Sequence, residues 1–110
     1  MVKIGKTELG DFPLLLAPME DVSDPPFRAV CKDQGADLMF TEFISVEGLI
    51  RDAGKSRQKL DIYDGERPVG VQIFGAEIES MGRAAEIVEE ANPELLDINF
   101  GCPVKKVVCK

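Results

Sequence analysis

From Val69 to Asn99 the chain changes its hydrophobic period twice. Val69-Gly70-Val71-Gln72-Ile73-Phe74 is a short apolar run that Gly75 stops. Between Glu77 and Ala91, the residues Ile78, Met81, Ala85 and Val88 recur at helical spacing, and Glu77 and Glu79 lie in the first turn, where the helix dipole favours acids. Asn92-Pro93 ends that pattern, and Leu95-Leu96-Asp97-Ile98-Asn99 is apolar again. Strand, amphipathic helix and strand in this order predict two parallel strands joined by a right-handed crossover. An apolar run without alternation suits a strand covered on both faces, as in a parallel sheet.

The same grammar extends towards the N-terminus. Val2-Lys3-Ile4 and Thr7-Glu8-Leu9, separated by Gly5-Lys6, predict a small β-hairpin. Phe12-Pro13-Leu14-Leu15-Leu16-Ala17-Pro18 predicts a first buried strand. Ser23 or Asp24 can cap the helix that follows, Pro25 and Pro26 are tolerated in its first turn, and Gly35 ends it. Phe27, Val30 and Cys31 share one apolar face of that helix, which places Cys31 in the core. Asp37 to Phe43 predicts a second strand, and Val46, Leu49 and Ile50 fit a short helix after it. A polar stretch with Gly54 and an Asp64-Gly65 turn leads to the strand at Val69. The order is hairpin, then β-α-β-α-β-α-β, an α/β fold with about four parallel strands. Two architectures fit: an open doubly wound sheet, or half of an eight-stranded (β/α)8 barrel. A barrel takes about 250 residues. With 110 residues, residues 1–110 would form a partial barrel, the N-terminal fragment of a longer catalytic domain.

Composition excludes several chemistries. The chain has no histidine, so Ser-His-Asp and Cys-His catalysis and imidazole metal ligation are ruled out within it. Its three cysteines, Cys31, Cys102 and Cys109, contain no Cys-x-x-Cys pair, so no metal is expected. An odd, sparse cysteine set without a signal peptide suits a reducing, cytoplasmic setting. No apolar stretch reaches the roughly 20 residues that span a bilayer, so no membrane association is expected. The net charge of -7 by itself argues against a polyanionic partner. It is uneven: seven acids and one base fall between Glu77 and Asp97, whereas Arg51, Lys55, Arg57 and Lys59 face Asp52 alone.

Chemistry in parallel α/β proteins sits beyond the carboxyl ends of the strands. Here those ends carry Pro18-Met19-Glu20-Asp21, Thr41-Glu42-Phe43, Gln72 with Gly75, and Asn99-Phe100-Gly101-Cys102-Pro103. In a parallel array they converge on one face. Two amides, backbone groups near Pro18 and a thioether make a neutral, hydrogen-bonding lining, suited to a flat heteroaromatic ring. Neither glycine-rich phosphate fingerprint, Rossmann or Walker, is present. Cys102, delivered at a strand tip, is a candidate proton donor or nucleophile; with no histidine to activate it as a nucleophile, the acid role is the better match. Glu42 either orients the site or pairs with Arg28 or Arg51, and Asp97 is a structural hydrogen bonder.

Residues Ala17 to Arg28 (Ala17-Pro18-Met19-Glu20-Asp21-Val22-Ser23-Asp24-Pro25-Pro26-Phe27-Arg28) resemble the opening motif of tRNA-dihydrouridine synthases. Thr41-Glu42-Phe43, Val71-Gln72-Ile73-Phe74-Gly75 and Asp97-Ile98-Asn99-Phe100-Gly101-Cys102-Pro103-Val104-Lys105-Lys106-Val107 resemble that family's later motifs, in the right order over nearly the whole chain. Glu20-Asp21 departs from the small residues usual after the methionine. The resemblance implies a TIM-barrel catalytic domain that binds flavin mononucleotide (FMN) and reduces the C5–C6 double bond of uridines in tRNA, with NADPH as reductant. By motif position, Pro18, Met19 and Glu20 would pass beside the flavin, Gln72 would hydrogen-bond its ring edge, and Asn99 would position flavin or uracil. Cys102 would be the proton donor. The family's helical tRNA-binding domain and second half-barrel lie outside these residues, which accounts for the acidic charge, and the fragment alone is expected to be inactive. Two other readings remain open on the residues. One is a different FMN barrel, such as a dihydroorotate dehydrogenase, which also sets a cysteine near an Asn-x-x-Cys-Pro sequence. The other is a non-catalytic half-barrel that self-associates through its open edges.

Overall fold

The computed structural model describes residues 1–102; Pro103, Lys105, Lys106 and Cys109 lie outside them. The N-terminal strands β1 (Val2–Ile4) and β2 (Thr7–Gly10) pair antiparallel, as the alternation around Gly5-Lys6 predicts. Gly5 takes a positive φ of 58°, which a residue without Cβ adopts readily.

The sheet proper starts with β3 (Leu15–Leu16). Helix α1 (Pro25–Asp33) follows, capped by Asp24, whose carboxylate accepts from the Phe27 N–H at 3.0 Å. Pro25 and Pro26 occupy the turn where their missing N–H groups have no partner to lose. Gly35, at φ 105°, turns the chain out of α1. Then come β4 (Leu38–Phe40), β5 (Ile44–Ser45), α2 (Val46–Ile50) and α3 (Gly54–Gln58). The polar stretch containing Gly54 is therefore partly helical, because Ser56 and its neighbours fold back beneath α2. β6 (Val69–Phe74), α4 (Ile78–Glu90) and β7 (Leu95–Ile98) follow.

All pairings in this sheet are parallel. β3 pairs with β4, β4 and β5 both pair with β6, and β6 pairs with β7. β4 and β5 are two parts of one strand line: Phe40 faces Gly70 and Ile44 faces Ile73, so four steps on one side match three on the other. Thr41-Glu42-Phe43 carries the extra residue, a bulge. Counted this way, four strands lie side by side in chain order. A doubly wound sheet reverses its order partway, and this one does not. The order is that of the first half of a (β/α)8 barrel.

One face of the sheet is closed by helices. Val71 and Ile73 pack with Ile44, Val46, Leu49, Ala84 and Val88, and Leu60, Ile62, Met81 and Ile87 lie against this cluster. Each fully buried aliphatic side chain contributes about 1.5–3 kcal/mol. The opposite face carries Phe40, whose ring covers Gly70, then Leu95, Gln72 and Asp97. Gly70 is required there: a Cβ would stand 2.5 Å from the Phe40 ring.

Three expectations need correction. The first strand is only two residues long in the ladder, and Phe12, Leu14 and Leu15 are exposed, because β3 is an edge strand with nothing on its outer side among the described residues. On α1, Phe27 and Val30 are exposed and Cys31 is half-buried rather than enclosed; the helix instead buries Arg28. On α4 the buried stripe runs through Ala84 and Val88, while Ile78 is 93% exposed, since the first helical residue precedes the point where the helix meets the sheet.

Candidate active site at the strand tips

The carboxyl ends of β6 and β7 bring together Gln72, Asn99 and Cys102. Gln72 is buried near the end of β6, and its register partner on β7 is Asp97. The Nε2 of Gln72 donates to Oδ2 of Asp97 at 2.7 Å. The Nδ2 of Asn99 donates to Oε1 of Gln72 at 3.3 Å. The Oδ1 of Asn99 accepts from the backbone N–H groups of Gly101 and Cys102, at 2.9 and 3.1 Å. The side chain that ends β7 thus holds the loop that follows it. Cys102 is half-buried and lines a cleft of about 460 Å³ with Ser45, Arg51, Phe74, Gly75 and Asn99 among its walls.

The bulge in the second strand line serves this site directly. Thr41 is fully buried. Its Oγ1 accepts from the Gln72 N–H at 3.2 Å and donates to the Glu42 carbonyl at 2.9 Å. A hydroxyl therefore replaces the ladder partner that the bulge removes from Gln72. Thr41 was visible in the sequence only as part of a strand tip. Beyond it, the Phe43 and Phe74 rings meet at 4.6 Å between centroids.

Pro18, Met19 and Glu20 form a second group, at the tips of the first two strand lines. The Met19 N–H donates to Ser23 Oγ at 2.8 Å, and its carbonyl accepts from the Val22 and Ser23 N–H groups. Ser23 therefore shapes this turn, and Asp24 alone is the cap of α1. The Met19 side chain is exposed, and Pro18 is half-buried. Asp21 takes a φ of 63°, a left-handed conformation that Asp tolerates better than most residues. Oxygens of Glu20, Asp21 and Glu42 lie within 4.8 Å of one another. Lys59 supplies the countercharge: its Nζ is 2.7 Å from Glu20 Oε1 and 4.0 Å from Glu42 Oε2. Glu42 therefore pairs with Lys59, not with Arg28 or Arg51. Residues 59 and 20 are too far apart in sequence for spacing to reveal the pair.

Arg28 has a different partner. Its Nε and Nη2 donate to the two carboxylate oxygens of Glu66, each at 3.0 Å, and both side chains are 2% exposed. Its Nη1 also donates to the Ser23 carbonyl at 2.7 Å. This fork ties the turn after β3 to the segment leading into β6. At the opposite end of the sheet, Glu94 is partly buried, which pushes its carboxyl up; hydrogen bonds from the Val69 N–H and from Arg67 outweigh this, so the net direction is down.

The donor set at Gln72 and Asn99 leaves room for a ligand. Among the described residues, one N–H of each side-chain amide and the second lone pair of Gln72 Oε1 have no partner. A neutral edge that both donates and accepts fits the rim of a flat heteroaromatic ring. Among the described residues, no helix is long and apolar enough to cross a membrane.

A family model described as "Dihydrouridine synthase (Dus)" matches residues 15–110. A "Probable tRNA-dihydrouridine synthase" of Rickettsia prowazekii is 40% identical over 109 residues, 98% of this chain and 33% of the relative. A "tRNA-dihydrouridine synthase B" of Pseudomonas aeruginosa is 40% identical over 111 residues, covering 100% of this chain and 33% of the relative. A "Probable tRNA-dihydrouridine synthase" of Aquifex aeolicus is 38% identical over 96 residues, 86% of this chain and 30% of the relative. The chain spans about a third of the length of the curated relatives it matches.

Proposed function

The chain belongs to the dihydrouridine synthase family, and from that premise we propose that the protein carrying it reduces uridine in tRNA to 5,6-dihydrouridine. The observation that carries this reading is the convergence of Gln72, Asn99 and Cys102 at the tips of β6 and β7. FMN is the proposed cofactor and NADPH the reductant. Once reduced by NADPH, bound FMN would supply hydride-transfer chemistry to C6 of the uracil.

The chain's own residues supply orientation and a proton. The free N–H and lone pair of Gln72 would meet the donor and acceptor atoms on the flavin rim. The remaining Asn99 N–H would position the flavin or the uracil. Pro18, Met19 and Glu20 would pass beside the same ring; with the Met19 N–H engaged by Ser23, this contact falls to side chains and carbonyls. Cys102 would hold the proton that C5 receives as negative charge builds there. A thiol suits this role: it carries a transferable proton and needs no histidine partner. The chain's net charge is -7, so contact with the RNA backbone would rest mainly on other parts of the protein. A cytoplasmic site of action follows from the tRNA substrate.

The test is dihydrouridine content of tRNA incubated with the purified protein, FMN and NADPH. Cys102→Ala should still allow NADPH to reduce the flavin, seen as bleaching of its visible absorbance, while dihydrouridine formation stalls. Dihydrouridine appearing at the wild-type rate in Cys102→Ala would remove Cys102 from the acid role. Failure of the unsubstituted protein to form any would overturn the proposed activity.

A further inference from the structure

Two side chains, Gln72 and Asn99, link Asp97 to the backbone of Cys102, and their chemistry permits only one sense of direction. A carboxylate only accepts hydrogen bonds. At 2.7 Å from Asp97 Oδ2, the Gln72 amide must therefore present its nitrogen to Asp97. Its oxygen then faces the other way, where only a donor can meet it, and Asn99 meets it with Nδ2 at 3.3 Å. The Asn99 oxygen is left facing Gly101 and Cys102, whose backbone N–H groups only donate. An acceptor-only group closes one end of the relay and donor-only groups close the other. Turning either amide over would set donor against donor at Gly101 and Cys102, or acceptor against acceptor at Asp97.

We propose that Asp97 is a positioning residue for the Cys102 loop, acting through Gln72 and Asn99. Its carboxylate selects the orientation of both amides and so secures the two hydrogen bonds that hold residues 101 and 102 against the end of β7. The burial of Gln72 strengthens the effect, because a low local dielectric makes each bond stronger and a mismatched pair more costly. The same selection decides which free N–H groups face a ligand. The proposal rests on the reading of Cys102 as the proton donor for its catalytic meaning, yet the relay can be observed without any turnover.

Two substitutions separate the role of Asp97 from simple packing. Asp97→Asn keeps an oxygen that can accept from Gln72 Nε2, whereas Asp97→Leu does not. Hydrogen exchange at the Gly101 and Cys102 amides, measured in the protein carrying this chain, should quicken about tenfold in Asp97→Leu and by less than about twofold in Asp97→Asn, the scale of one lost hydrogen bond. Unchanged exchange in Asp97→Leu overturns the proposal, and so does exchange in Asp97→Asn as fast as in Asp97→Leu. Should Asp97→Leu fail to fold, the unsubstituted protein decides. The one side-chain amide proton that each of Gln72 and Asn99 donates to the relay must exchange far more slowly than that of an exposed amide, and free-amide rates for it overturn the relay. Slow exchange in a protein that leaves tRNA uridine unreduced supports the relay while removing the catalytic reading; fast exchange in an active protein does the reverse.

Discussion

Arg28 and Glu66 stand 38 residues apart and face each other as a bidentate ion pair, both nitrogen–oxygen distances 3.0 Å, with 2% of either side chain exposed. Glu66 Oε1 also accepts from the Tyr63 N–H at 3.2 Å, and Arg28 Nη2 donates to the Asp61 carbonyl at 3.2 Å. With the Ser23 carbonyl that accepts from Arg28 Nη1, the pair therefore holds three backbone groups as well as two charges. Removing one partner leaves a buried charge without compensation, which costs about 3–5 kcal/mol. Glu66→Ala and Arg28→Ala should each lose stability on that scale in urea titrations. Arg28→Lys should recover only part of it, since an ammonium cannot reproduce the fork.

Thr41 tests the bulge. Thr41→Val keeps the shape of the side chain and deletes the only hydroxyl that accepts from the buried Gln72 N–H. Leaving such a donor without a partner costs about 1–3 kcal/mol. Thr41→Ser retains the oxygen and should stay closer to wild type. Chemical denaturation of the two variants side by side reads the difference, and a Thr41→Val variant as stable as wild type would remove the hydroxyl from that role.

Glu94 predicts a pH dependence. Its folded-state pKa is lowered, with burial opposed and outweighed by the Val69 N–H and Arg67. A carboxyl held below its unfolded value adds stability that is present above the ordinary carboxylate range and is lost as pH falls through the folded-state value. Glu94→Gln should therefore cost on the order of 1 kcal/mol at neutral pH, and the difference from wild type should shrink on acidification. Urea midpoints at neutral pH and near the acid end of the carboxylate range provide the check; a difference that widens on acidification would contradict the assignment.

Lys59 predicts a salt dependence. It is the countercharge for Glu20 and Glu42, at 2.7 and 4.0 Å. Its side chain is 27% exposed and that of Glu20 is 36% exposed, so solvent screens the pair. Lys59→Met should lose up to about 1 kcal/mol at low salt, leaving three carboxylates close together. Most of that loss should return in about 0.5 M sodium chloride, where the Debye length falls to a few ångströms. A loss that salt does not restore would point to the packing of the lysine stem beside Phe43 instead.

Much of the fold was legible because its signals are local. The run Val69–Phe74, the helix that follows it and the strand at Leu95 were each readable from apolar period and from Gly75 and Asn92-Pro93 as stops. Asp24 as cap, Pro25 and Pro26 behind it, and Gly35 as terminator are likewise choices made within a few residues. Gln72, Asn99 and Cys102 could be placed at strand ends for the same reason. The apolar faces misled where burial depends on a neighbour: Phe27, Val30 and Ile78 have helical spacing yet no described partner, while Arg28, polar by type, is enclosed because Glu66 arrives opposite it.

The sequence by itself determined which segments become strands and helices, their parallel α/β order, and the residue types available at the strand tips, since period, caps and turn residues act over a few positions. Only the tertiary structure decided that the strands lie in chain order, that Thr41 supports Gln72 across a bulge, that Lys59 serves Glu20, and that Asp97 reaches Cys102 through two amides. Each of these joins groups that meet only after the sheet forms. Hydrogen-bond direction and charge compensation depend on distances of a few ångströms, and linear spacing along the chain does not encode them.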